Sequence, residues 1–99
     1  MRYLGGSTGG GMLKCAGADI GRATYDFDSY AQKSGEITRS GEIRLANGAL
    51  AGVFGRSDVE LLTDDGQLLR LRFSERKLAP AGNAAHVDVV DRRVPNTNP

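Results

Sequence analysis

The chain is expected to fold as an all-β domain, a small antiparallel barrel or sandwich of about six to eight short strands, with at most one short helix near residues 47–54. Three observations lead there. Apolar and polar residues alternate with period two through most of the chain, glycine-bearing turn signals interrupt that alternation at short intervals, and a single stretch carries helical spacing. With 99 residues, 39% of them apolar and 25% charged, the chain suits one modest core. One domain is expected over residues 1–91, followed by an unrestrained polar tail at 92–99 in which prolines recur.

The amino-terminal "RYL" reads as a short strand, and "GGSTGGG" from Gly5 to Gly11 as a flexible connection to a second strand, "MLKC". A hairpin through Ala16 and Gly17 then sets Lys14 against Asp19 and Leu13 against Ile20. In "RATYDFDSY", Ala23, Tyr25 and Phe27 share the inner face while Asp26 and Asp28 face solvent. Ile20 is out of phase with that set, which places a β-bulge at Gly21.

The tetrapeptide SGEI occurs at Ser34 and again at Ser40. A loop of Arg39, Ser40 and Gly41 is expected to set Ile37 opposite Ile43 and Glu36 opposite Arg44. Next, "ANGALAGVFGR" spaces Leu50, Val53 and Phe54 as a helix does, with Asn47 as N-cap and Gly55 just past the end. Its internal glycines limit it to a turn or two.

In "DVELLTDDGQLLRLRF", a loop of Asp64, Asp65 and Gly66 pairs Leu61 with Leu69 and Val59 with Leu71. The same register sets Glu60 against Arg70 and Asp58 against Arg72. A two-residue loop would instead oppose leucine to arginine. The adjacent aspartates therefore turn the chain; residues side by side on a loop tip do not converge on one substrate atom. After "SERKLAPAGN", a loop, "AAHVDVVD" supplies a last strand with Val87 and Val89 on one face and His86 and Asp88 on the other.

Function is constrained mainly by exclusion. Thirteen basic and twelve acidic side chains nearly cancel, so nucleic acid could be held only through a local patch. One cysteine, Cys15, permits no internal disulfide, and one histidine, His86, supplies no ordinary zinc site. The glycine-rich segment lacks the Lys-Ser/Thr of a phosphate loop. No signal sequence or membrane span is apparent, which leads to the expectation of a cytoplasmic protein. Asp26 with Asp28, and His86 with Asp88, are the carboxylate and histidine pairs that strand geometry could bring to one face. Cys15 with His86 is the one nucleophile–base combination. None amounts to a catalytic constellation, and no cofactor or metal is implied.

The reading is a non-catalytic binding or assembly module, self-associating or docking another protein. Leu62 faces Leu68 on the otherwise charged side of the hairpin, which makes that pair the expected contact surface. The alternative is a nucleic-acid-binding barrel using Arg39, Arg56, Arg76 and Lys77, all placed in turns.

Overall fold

The computed structural model describes residues 1–46, 48–78 and 82–90. Its strands are β1 (Arg2–Cys15), β2 (Ala18–Ala31), β3 (Ile37–Leu45), β4 (Val59–Thr63), β5 (Leu68–Phe73) and β6 (Ala84–Val90). They close into a barrel in the order β1-β2-β3-β6-β5-β4, and every neighbouring pair is antiparallel. β4 returns to lie beside β1, giving the 4-1-2-3 arrangement of a Greek key. Among the described residues the helical content is one 3₁₀ turn, Ala49–Gly52. Closure leaves the core without a free sheet edge, which a sandwich would retain.

Alternation fixes the interior. Leu13, Phe27, Ile43, Val59, Leu61 and Val87 are fully buried, and their register partners fall on the same inner face. At one end of the barrel the 3₁₀ turn inserts Leu50, with Val53 beside it and Phe54 against Phe73 at 4.9 Å between ring centroids. The predicted turn is therefore present, starting from Gly48 in the left-handed conformation. The expected cap, Asn47, lies outside the described residues, as does the 92–99 tail.

The β4–β5 hairpin has the expected register, Val59 to Leu71, Glu60 to Arg70 and Leu61 to Leu69. Thr63 N–H donates to Gln67 O at 2.8 Å, closing the loop of Asp64, Asp65 and Gly66. One detail differs. β4 begins at Val59, so Asp58 lies before the ladder and is held by Arg56, while Arg72 reaches Asp88 of β6.

The Ala16-Gly17 turn also forms, both residues having positive φ as a type I′ turn requires. Lys14 faces Asp19, but Leu13 faces Gly21 rather than Ile20. Ile20 is the extra residue of the bulge that its phase required, and it packs half-buried against the core.

Two larger expectations also fail, both at glycines. The SGEI repeat makes no hairpin: Ile37 to Leu45 is one strand paired along its length with β2. Gly41 is opposite Phe27, where a β-carbon would overlap the Asp26 carbonyl oxygen. Its missing side chain admits a close approach of backbones instead of turning the chain. Nor is "GGSTGGG" a linker, because β1 runs through it, paired with β2 from Arg2 to Cys15. Tyr25 lies over Gly9, the Arg22 and Asp64 side chains meet over Gly10, and Gly11 abuts the β4 backbone at Leu62 and Thr63. Gly9, Gly10 and Gly11 are thus covered from neighbouring segments, whereas Gly5 has open space around it.

Candidate functional site

The outer face of β1, β4 and β5 carries an apolar row. Met12 pairs with Leu62, and Leu62 with Leu68, so the three side chains lie side by side across three strands. Leu62 is 38% and Leu68 42% exposed, and Met12 is partly covered. The row is framed by charge. On one side Lys14, Glu60 and Arg70 form the next register row, with Lys14 Nζ 2.5 Å from Asp19 Oδ1. On the other, Arg22 grips Asp64 through two bonds of 2.7 Å, tying β2 to the β4–β5 tip. That contact lowers the Asp64 carboxyl pKa and raises that of the Arg22 guanidinium. Thus Asp64 clamps the hairpin as well as turning it. Asp65 accepts from the Thr63 hydroxyl, and the buried Thr63 Oγ1 in turn accepts from Gln67 N–H at 2.9 Å.

Leu62 and Leu68 were legible from the loop length; Met12 was not. It joins the row only because β1 closes on β4, a pairing between residues far apart in sequence that local alternation does not reveal.

The basic residues do not gather. Arg39 lies within β3, not in a turn, opposite Val89 at the end of the barrel far from the 3₁₀ turn. With Ser29, Ile37 and Val89 it borders a small hollow of about 230 Å³, below the usual range for ligand pockets, and with Arg72 and Asp88 it lines a larger groove of about 380 Å³. Arg56 precedes β4 at the other end and is engaged by Asp58 at 2.9 and 2.7 Å. Arg76 and Lys77 sit exposed between β5 and β6.

The titratable pairs face outward on open sheet. Asp26 lies opposite Glu42, and Asp28 accepts the Tyr3 hydroxyl at 3.0 Å, which raises the tyrosine pKa. Tyr3 rests against Tyr30, ring centroids 5.4 Å apart, above Gly6, where a β-carbon would crowd both Tyr3 and Asp28. His86 and Asp88 share the outer face but engage different partners. Ser74 Oγ is 2.6 Å from His86 Nδ1, and Arg72 pairs with Asp88 at 3.3 Å. The groove of about 380 Å³ outside β3, β6 and β5 is lined by Asp88 and Arg72 but not by His86. Cys15 and His86 are not partners: the Cys15 thiol is buried and donates to Asp58 Oδ1 at 3.3 Å. Burial first, then the Asp58 carboxylate, pushes the thiol pKa up, away from a reactive thiolate. Arg56, and next the Cys15 thiol, hold the Asp58 carboxyl well below the usual carboxylate range. Among the described residues no group of three or more His, Cys, Asp or Glu is arranged to hold a metal ion, and no helix is long and apolar enough to cross a membrane.

Comparison of the chain with protein-family models, with curated proteins and with solved structures returned no match.

Proposed function

We propose that the protein is a small binding or assembly module that works through a protein–protein surface, with Met12, Leu62 and Leu68 as its centre. The observation that carries this reading is the contiguity of the three side chains across β1, β4 and β5. Scattered surface leucines need no explanation, but an apolar row framed by charged rows has the apolar-centre, polar-rim pattern of an interface. At this point β1 and β4 are paired on both sides and Leu68 of β5 is paired with Leu62, so the row is held on sheet rather than on a loop.

The test is the double variant Leu62→Ser, Leu68→Ser. Both side chains are exposed, so the thermal midpoint is expected to stay close to that of the wild type. Molar mass from light scattering during size exclusion, at low and moderate salt, is expected to fall where the wild type self-associates through the row. Where the wild type is monomeric, capture of a protein partner by the wild type is expected to be lost in the variant. Unchanged mass together with unchanged capture by a folded variant would remove the row from the interface.

A further inference from the structure

β1, paired with β2, runs on past the end of β4 at the end of the barrel away from the 3₁₀ turn, and among the described residues its other edge is unpaired there. β1 pairs with β2 from Arg2 to Cys15 but with β4 only from Gly11 to Cys15. Gly10 adds one bond, its carbonyl accepting from Asp64 N–H at 2.9 Å. Alternate residues of a strand direct their N–H and C=O groups to the same side. Gly6 and Thr8 therefore present theirs away from β2, where no described residue pairs with them.

Exposed strand edges are ordinarily protected by charge, proline or a covering loop. Between Tyr3 and Gly10 the sequence has neither a charged residue nor a proline. A second, independent feature lies at the same end. Of the large apolar side chains that remain exposed, Met1 (73%), Tyr3 (56%), Leu4 (43%) and Ile37 (63%) lie at this same end, at the start of β1 and of β3. Open backbone and uncovered apolar side chains together call for an added strand.

We propose that the added strand is β1 of a second copy, the two edges pairing antiparallel about a two-fold axis. Such a contact is isologous, since each edge offers the other the same alternating donors and acceptors. Glycine and small hydroxyl residues leave the approach unobstructed, and a formal net charge of +1 per chain gives little repulsion between copies. The incoming strand would lie alongside β1 beyond the β4–β5 tip, continuing the sheet that carries the apolar row. This inference deepens the assembly reading and rests on it for the protein's acting through contact with another chain.

The experiment combines sedimentation equilibrium with amide hydrogen exchange read by NMR, both from low micromolar to near-millimolar protein. Wild type is expected to approach twice the monomer mass, with exchange at Gly6 and Thr8 slowing by roughly tenfold or more as concentration rises. Thr8→Pro removes a donor on the open edge, where proline is compatible with strand structure, and is expected to leave a folded monomer. Thr8→Lys, which places a charge at the same edge on the outer face, opposite Asp26, without altering the backbone, is expected to do likewise and guards against a proline variant that fails to fold. Leu62→Ser with Leu68→Ser is expected to retain the concentration-dependent protection of Gly6 and Thr8. A dimer in which those two amides exchange at the same rate at every concentration would overturn edge pairing while leaving the apolar row as the interface. A wild type that stays monomeric throughout would overturn self-pairing and leave the row for a different protein.

Discussion

Gly41 shows how much of this fold depends on the absence of a side chain. A β-carbon there would overlap the Asp26 carbonyl oxygen and press within 2.8 Å of the Phe27 Cα, both backbone atoms that cannot swing aside. Gly41→Ala is therefore expected to cost about 3 kcal/mol or more, at or above the upper end for overpacking, as read by urea denaturation. Gly52 has open space around it, and Gly52→Ala is expected to fall within about 0.5 kcal/mol of wild type. Equal effects at the two positions would show that backbone approach is not what Gly41 provides. The contrast also explains why the SGEI repeat misled the sequence reading. Glycine marks a positive φ at Gly17 and Gly66 but a close approach at Gly41, and neighbouring residues alone do not distinguish these uses. Asp58 supplies a second residue-scale prediction. Its carboxyl is held below the ordinary value, so its contribution to stability is present above about pH 4 and is lost as pH falls through the folded-state value. Urea midpoints measured down a pH series should fall less steeply for Asp58→Asn than for wild type, with a residual slope from Asp64, whose carboxyl Arg22 also holds low. Identical slopes would dissociate the Arg56 contact from acid stability.

At the scale of elements, the short hairpins were legible and the long strands were not. Side-chain matching across a short loop depends on a few residues, so Leu61 with Leu69 and Lys14 with Asp19 follow from turn length and alternation. Strand continuity through "GGSTGGG" comes from pairing with β2, while Tyr25 and the Arg22–Asp64 contact, all distant in sequence, cover Gly9 and Gly10. The candidate surface divides in the same way, with Leu62 and Leu68 joined by a local turn and Met12 brought in by closure. The 3₁₀ turn is a further element whose importance exceeds its length. Its Leu50 is fully buried as the stopper of one barrel end, and Leu50→Ala is expected to cost about 2–5 kcal/mol in the same denaturation assay. A loss below about 1 kcal/mol would mean that the end of the barrel collapses readily around the missing side chain.

For the whole molecule the decisive event is closure. Two of the hairpins can form within themselves, because Ala16-Gly17 and the Asp64–Gly66 loop are short. The seam joins Met12 to Leu62 and Leu13 to Leu61, and the β3–β6 pairing joins Gly41 to Val87, each across nearly half the chain. Loop-closure entropy opposes these contacts before the packing of Leu13, Leu61 and Val87 repays it, so the topology is non-local in the sense that slows folding. Refolding in stopped-flow experiments is expected in the millisecond-to-second range, with urea slopes showing most of the surface already buried at the transition state. Microsecond refolding would require the hairpins to dock without a search, and would place closure before the rate-limiting step. The same non-local pairing makes the apolar row a property of the folded barrel. Met12 meets Leu62 only once the seam is shut, so a chain in which the barrel has not closed does not present the complete row.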